Sequence, residues 1–152
     1  MRRRTIYLLT LGAECIWLMG ILAAPYLRSK GLDMVSDGVY DAYRVVCHQK
    51  AERSLFLFGE KMAVCARCFG IYVGLLIGTV AIPIYGKIEK IRVPDYRLAL
   101  LSLVPLAIDG FSQLSGLRES SNELRLLTGF LFGLMFISYF IPLVLVRMGE
   151  HG

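Results

Sequence analysis

The sequence predicts an all-α integral membrane protein in which four transmembrane helices form a bundle. Hydrophobic residues make up 56% of the 152 residues, and the mean hydropathy is +0.59, which is too apolar for an ordinary soluble domain. The apolar residues also lie in long blocks, and a block of about 20 such residues is long enough to cross a bilayer. We therefore expect a single membrane domain over residues 1–152.

The first two predicted spans cover about residues 5–27 and 64–85. The first ends near Pro25 and Arg28, which are stop signals for a helix. The second carries glycines at every fourth position, a spacing that permits close approach of another helix. A glycine face of this kind also predicts a possible homo-oligomer, and the glycines concerned are Gly70, Gly74 and Gly78.

The loop between these spans, residues 28–63, is too long for a simple turn. It contains apolar residues at helical spacing, which predict an amphipathic helix on the membrane surface or across the end of the bundle. These residues are Val35, Val39, Tyr43 and Val46. A short apolar segment at 54–58 follows and predicts an interfacial or re-entrant piece.

The third and fourth predicted spans cover about residues 98–117 and 124–146. The pattern Ser-Ser-Asn-Glu before the fourth span matches a capping box, with Ser120 as the N-cap and Glu123 at the third helical position. An even number of spans places both termini on one side of the membrane. It also places the loop 28–63 and the loop before the fourth span together on the other side.

The net charge of +5 is interpreted through membrane topology, because the chain has no nucleic-acid-binding motif. Arg2, Arg3 and Arg4 precede the first span, and Lys87, Lys90, Arg92 and Arg97 lie in or beside the short loop after the second. Clustered positive charge favours the cytoplasmic side. We expect a multi-pass protein of the cell membrane, in contact with lipid, whose N- and C-termini are cytoplasmic.

Three cysteines and a histidine gather near the second span, and they are the residue types that bind zinc. Cys65 and Cys68 have the C-x-x-C spacing at the start of the predicted helix, while Cys47 and His48 lie in the preceding loop. Thiolate and imidazole ligands suit Zn²⁺ or another soft metal. We expect either a closed four-ligand structural site or a three-ligand site with an open position that activates water.

Polar residues near the same membrane face predict a pocket beside this metal site. An ionisable side chain within a span indicates a functional site, and Asp109 is such a side chain. With Glu119 it is a candidate general acid or base, and the arginines near it are candidates for binding an anionic head group. The candidate catalytic residues are Asp109, Glu119, Gln113, Asn122, Arg125 and Arg53, with Arg118 as a further cation. The leading hypothesis is a metal-dependent enzyme that acts on a lipid or head-group-like substrate.

Two other functions are consistent with the same residues. A C-x-x-C at a helix N-terminus favours thiolate, so Cys47, Cys65 and Cys68 are also candidates for a membrane thiol–disulfide oxidoreductase. Alternatively, the chain is a non-enzymatic transporter component or assembly factor with a structural metal. In that case Glu14 and Asp109, both within predicted spans, would mark an ion path.

Taken together, these motifs resemble the domain-of-unknown-function family 2085, which contains small multi-span membrane proteins of bacteria and archaea. The resemblance covers about residues 46–133 and implies the membrane architecture without supplying a reaction. Gln49 departs from it, because relatives often carry Arg after the Cys-His pair. The matching strings are Cys47-His48-Gln49, Arg53-Ser54, Cys65-Ala66-Arg67-Cys68-Phe69-Gly70-Ile71-Tyr72, Asp109-Gly110, Gln113 and Asn122-x-x-Arg125-x-x-Thr128-Gly129.

Overall fold

The structure, a computed structural model, describes residues 3–84, 93, 95–116 and 119–149. In this part of the chain, five α-helices and one two-stranded antiparallel sheet follow one another. Their bounds are α1 Arg3–Ser29, α2 Asp33–Arg44, β1 Ser54–Leu57, β2 Glu60–Cys65, α3 Ala66–Ala81, α4 Tyr96–Leu114 and α5 Asn122–Gly149. Arg2, Lys87, Lys90, Arg92 and Arg118, which entered the charge and pocket arguments, lie outside the described residues.

The predicted helical membrane architecture is confirmed in its coarse form, since the described chain is mostly helical apart from one hairpin, whereas the predicted four spans are not confirmed. Among the described residues, three helical segments are long and apolar enough to cross a membrane: Arg3–Ser29, Ala66–Ile84 and Asn122–Arg147. The apolar part of α4, Leu100–Gln113, is shorter. At 1.5 Å per residue it extends about 21 Å, against the roughly 30 Å of the hydrocarbon core.

Contacts at the two ends of the bundle fix the relative directions of the helices. Near the start of α1, Tyr7 packs in a buried cluster with Leu145 near the end of α5 and Ile82 just after α3. The Tyr7 hydroxyl also donates to the backbone oxygen of Thr79 (3.2 Å). The described ends of the chain therefore lie together. At the opposite end, the Ser36 hydroxyl of α2 donates to the backbone oxygen of Ala24, near the end of α1 (2.9 Å).

Helices α3 and α5 pack backbone against backbone through glycines on both helices. A methyl group on Gly74 would come within 2.8 Å of the backbone nitrogen of Leu134, and one on Gly133 within 3.0 Å of that of Leu75. The close approach expected from the glycine spacing thus occurs within one chain. A homo-oligomer stays a prediction, and it would need another face of the molecule.

The amphipathic helix is present as α2, and its buried face agrees with the predicted one in part. Tyr43 is buried and Val39 packs against the same cluster as predicted, whereas Val35 and Val46 are exposed and Ser36 and Tyr40 are buried instead. The reason is hydrogen bonding: the Ser36 hydroxyl donates to the Ala24 carbonyl (2.9 Å) and the Tyr43 hydroxyl to that of Trp17 (2.6 Å). These hydrogen bonds satisfy the buried hydroxyl groups. The spacing of apolar residues along the sequence gives no sign of such bonds.

A β-hairpin is present where an interfacial piece was expected at 54–58. Because of the hairpin, the second long helix begins later in the sequence than predicted. Strand β2 continues to Cys65, so α3 begins at Ala66 rather than at residue 64. The turn between the strands has Phe58 at φ 56° and Gly59 at φ 80°. Two successive positive φ angles are typical of a two-residue hairpin turn, usually marked by Asn-Gly. Phe-Gly gives that signal only weakly.

The N-cap of α5 is shifted by one residue from the prediction. The helix begins at Asn122, and the Ser121 hydroxyl accepts a hydrogen bond from the backbone N–H of Leu124 (3.3 Å). That is the bond an N-cap side chain makes to the third helical residue. Ser120 is instead buried, and its hydroxyl donates to the Ser121 carbonyl (3.3 Å).

Candidate metal centre

The hairpin and the ends of two helices bring three cysteines together. Cys47 follows the last turn of α2, where its N–H donates to the Tyr43 carbonyl (3.1 Å). Cys65 is the last residue of β2, and Cys68 lies in the first turn of α3. The three sulfur atoms all lie within 4.8 Å of one another. The sequence-distant cysteines therefore converge as expected.

Cys47 lies deepest in this cluster and is the thiol best placed to carry negative charge. Its side chain is buried, and its sulfur accepts a hydrogen bond from the backbone N–H of Cys65 (3.2 Å). Hydrogen bonds from the thiols of Cys65 and Cys68 hold the pKa of the Cys47 thiol well below its usual range, and they outweigh the opposing effect of burial. The thiolate is the form that binds metal.

The spacing of the sulfurs suits a tetrahedral ion. Sulfur ligands about 2.3 Å from Zn²⁺ lie about 3.8 Å from one another in a tetrahedral site, and the observed separations stay within 4.8 Å. Small side-chain rotations would bring them to that distance. The three thiols come from the turn after α2, the end of β2 and the first turn of α3. A set of three thiol ligands is one that a soft metal prefers.

His48 lies outside this cluster because of the turn that follows α2. It is exposed, between Cys47 and Gln49, which are both buried. The Gln49 side chain donates to the Tyr40 carbonyl (2.6 Å), and the Gln49 carbonyl accepts from Lys61 Nζ (2.6 Å). Gln49 thus anchors the turn to α2 and β2.

An ion pair links the first turn of α3 to the interior of α4. Arg67, between Cys65 and Cys68, donates to the Asp109 carboxylate. Asp109 is only 2% exposed, and Gln113 Nε2 also donates to it (3.1 Å). Arg67 was the residue of this network whose role the sequence left open. Its position inside the C-x-x-C was the available signal.

The network continues from α4 to α5 and returns to the hairpin. Arg125 donates to Gln113 Oε1 from Nη2 (3.1 Å) and to Asn122 Oδ1 from Nη1 (2.8 Å). Asn122 Nδ2 donates to the backbone oxygen of Ser54 (3.3 Å), and Ser54 pairs with Cys65 across the hairpin. The polar network therefore joins the cysteine cluster at two points, Arg67 and Ser54.

Four of the six candidate catalytic residues belong to this network: Asp109, Gln113, Asn122 and Arg125. Arg53 is exposed and lines a cavity together with Gln113 and Arg67. Glu119 is exposed just before α5, and no described contact connects it to the cluster. The same cavity includes Lys50, which belongs to none of the sequence motifs.

The comparisons agree with this membrane architecture. A family model described as "Predicted membrane protein (DUF2085)" matches residues 47–139, more than half of the chain. The chain belongs to this family. The matched range holds all three clustered cysteines and the whole polar network, so the predicted family resemblance is confirmed.

Two archaeal proteins are similar to the chain. An uncharacterized protein of Methanocaldococcus jannaschii is 42% identical over 142 residues, which cover 90% of this chain and 91% of that protein. An uncharacterized protein of Methanothermobacter thermautotrophicus is 42% identical over 90 residues, covering 57% of this chain and 77% of that protein. No solved structure matches the chain significantly.

Proposed function

We propose that the protein is a membrane metalloprotein that binds one Zn²⁺ through Cys47, Cys65 and Cys68. The observation that carries the proposal is the mutual separation of the three sulfurs, all within 4.8 Å. Two of them border a helix N-terminus, where backbone N–H groups favour thiolate. The site lies at the end of the bundle opposite the described chain ends.

We propose further that three protein ligands leave a fourth position open. His48 is exposed and outside the sulfur cluster, so the closed Cys₃His alternative requires its side chain to turn inward. Catalytic zinc sites keep one position for water or substrate, whereas structural sites close it. In this proposal the open position faces the cavity lined by Arg53, Arg67 and Gln113, as an enzyme that acts on a lipid or head-group-like substrate would require.

In this proposal the buried network positions the site rather than performing acid–base chemistry. Asp109 is only 2% exposed and is held by Arg67 and Gln113, so its carboxylate is closed to a substrate in the cavity. The pair instead fixes the first turn of α3, where Cys68 lies. Placing the metal ligands to within about 0.5 Å is the task of such supporting contacts.

We also propose that α4 completes a fourth crossing. Its full length of 19 residues extends about 28 Å, close to the hydrocarbon thickness. Asp109 and Gln113 near its C-terminal end bond to residues near the N-terminal ends of α3 and α5. Helix α4 therefore runs antiparallel to both, as a crossing segment between them must.

Metal content tests the zinc proposal. The protein purified in neutral detergent without chelator should carry about one Zn²⁺ per chain, and Cys68→Ser should fall below about 0.2, since loss of a thiolate ligand removes much of the affinity. Cys15→Ser is the matched control, because Cys15 lies in α1 outside the cluster, and it should keep the metal. His48→Ala should keep most of it as well. A wild-type content below about 0.2 would overturn the proposal.

The proximity of the sulfurs also favours the thiol–disulfide alternative, in which two thiols lose two protons and two electrons to an acceptor such as a quinone. Alkylation distinguishes the two functions. Labelling of Cys65 that oxidant blocks and reductant restores supports the redox function, whereas labelling that only a chelator increases supports zinc. Zinc loss accompanied by unfolding would indicate the structural site of a transporter component or assembly factor.

A further inference from the structure

A cavity of about 520 Å³ lies beside the cysteine cluster and is lined by cationic and apolar side chains. Lys50 and Arg53 come from the segment that leads into the hairpin, and Arg67 comes from the first turn of α3. The opposite wall is formed by α4. It consists of Ala107, Gly110, Phe111 and Gln113. The volume is within the range of small-molecule sites.

The charge of this cavity is positive even after its one ion pair is counted. Among the described lining residues there are three cations and no carboxylate. Asp109 lies behind the wall and is paired with Arg67, which leaves Lys50 and Arg53 to give the cavity its net positive charge. Both side chains are exposed at the rim, so a ligand can reach them from the surface.

Arg67 presents a polar group that the described part of the protein does not satisfy. Its Nε is buried and has no hydrogen-bond partner among the described residues, although its Nη2 bonds to Asp109. A buried N–H without an acceptor destabilises the fold. This N–H is closed to solvent, so a ligand in the cavity contacts Arg67 through the exposed part of its side chain, which is 27% exposed as a whole.

We propose that this cavity binds a phosphate group, held by Arg53 and Arg67 with Lys50 at the rim. Guanidinium groups match the oxygens of phosphate in pairs, and an ammonium adds a point charge. The apolar wall accommodates what the phosphate is attached to, since it holds Ala107 and Phe111, and Phe111 is 73% exposed. Two ligands present this group: a lipid that ends in a phosphate, and the free phosphate ion itself.

This inference deepens the proposed function and rests on it only for the claim that a reaction occurs there. Arg67 lies between two of the proposed metal ligands in sequence and lines the cavity, so a reaction there needs the open position of the zinc to face the cavity. Binding itself does not require the metal. The competing explanation is that the cations merely extend toward lipid head groups in general.

The binding experiment uses the full chain in dodecyl maltoside and two probes, inorganic phosphate and short-chain phosphatidic acid. Phosphatidylcholine with the same acyl chains is the reference lipid. Arg53→Gln should weaken binding of the phosphate-bearing probe at least about tenfold, because a charge-assisted hydrogen bond is lost. Arg44→Gln is the matched control, since Arg44 is 70% exposed on α2 and does not line the cavity. It should leave binding unchanged.

Each outcome decides the proposal. Binding of phosphatidic acid that Arg53→Gln weakens supports a lipid phosphate, and binding of inorganic phosphate alone with the same dependence supports a soluble ligand. Equal binding of phosphatidylcholine, equal losses in Arg53→Gln and Arg44→Gln, or no binding of either probe would overturn it. Arg53→Gln should retain its zinc, so a failed phosphate site remains distinguishable from a failed metal site.

Discussion

Arg67 is the residue at which the two parts of the site meet. It lies between Cys65 and Cys68 in sequence, pairs with buried Asp109 through one nitrogen, and leaves another buried nitrogen facing no described acceptor. Removing one member of a buried ion pair leaves the other uncompensated, which is more damaging than losing the attraction itself. The Arg67–Asp109 pair should therefore matter to stability as well as to the site.

Asp109→Asn should lower the free energy of unfolding by about 1–3 kcal/mol, less than for a fully buried pair because the Arg67 side chain is 27% exposed. Thermal or denaturant unfolding in neutral detergent measures it. Glu119→Gln is the control, since Glu119 is exposed, and its effect should stay within about 0.5 kcal/mol.

A double-mutant cycle with Arg67→Gln and Asp109→Asn separates the pair from its surroundings. Residues in direct contact show coupling of about 0.5–3 kcal/mol, whereas independent residues add within about 0.5 kcal/mol. Additive effects of the two substitutions would show that the ion pair contributes nothing to stability.

At the scale of elements, the glycine contact between α3 and α5 determines where the cysteines lie. Cys68 belongs to the first turn of α3, and Arg125 and Asn122 belong to the first turn of α5. If the two helices moved apart, the network between them would stretch at both Gln113 and Ser54. The packing of small residues between α3 and α5 thus keeps the members of the polar network within hydrogen-bonding distance.

Gly74→Ala should destabilise the protein by about 1–3 kcal/mol, the usual effect of overpacking. The added methyl group would lie 2.8 Å from the backbone nitrogen of Leu134 and 3.1 Å from the carbonyl carbon of Phe130, and backbone cannot rotate away. Unfolding in detergent, together with zinc content, measures the effect.

Gly12→Ala provides the matched control for that substitution. Gly12 also lies within a helix, α1, but its added methyl group would meet nothing within 4 Å. It should be neutral or stabilise the chain by up to about 1 kcal/mol, because alanine is the better helix former. Equal destabilisation by both substitutions would contradict a special role for the α3–α5 contact.

At the scale of the whole molecule, the two ends of the bundle differ in character. One end carries the hairpin, the cysteine cluster and the polar network, and the other carries the packed cluster of Tyr7 and Leu145. If α4 makes the proposed fourth crossing, both termini lie on the side opposite the cysteine cluster. Arg3 and Arg4, in the first turn of α1, favour the cytoplasm for that side.

Reporter fusions test this topology. A reporter that fluoresces only in the cytoplasm should fluoresce at the N-terminus and at the C-terminus, and it should be dark when the chain is cut after Gly116 at the end of α4. Matching termini show an even number of crossings. Fluorescence at one terminus alone would show that α4 does not cross, and two dark termini would reverse the orientation.

Some parts of this fold followed from the sequence because they depend on local patterns. Long apolar blocks gave α1, α3 and α5, and the glycine spacing gave a close helix contact. The hairpin did not follow, because a Phe-Gly turn with two positive φ angles is a weak signal and the strands are short. The buried face of α2 was predicted in part, through Val39 and Tyr43, but Ser36 and Tyr40 were missed because their hydroxyls bond to carbonyls distant in sequence.

In the candidate site, the convergence of Cys47 with Cys65 and Cys68 was predictable from their residue type and from the C-x-x-C spacing beside the same loop. The place of His48 was not, because it depends on the turn that Gln49 anchors. The pairing of Arg67 with Asp109 was equally hidden. Both residues had plausible separate roles, and only their proximity decided that they bond to each other.

The sequence by itself determined that this chain is a helical membrane protein of its family and that thiols gather at one end of it. Those properties depend on composition, period and spacing, which are local. Only the tertiary structure decided that His48 lies apart from the thiols, which arginine pairs with the buried carboxylate and which cations line the cavity. Hydrogen bonds and ion pairs act over about 3 Å, so contacts between residues distant in sequence are fixed by packing.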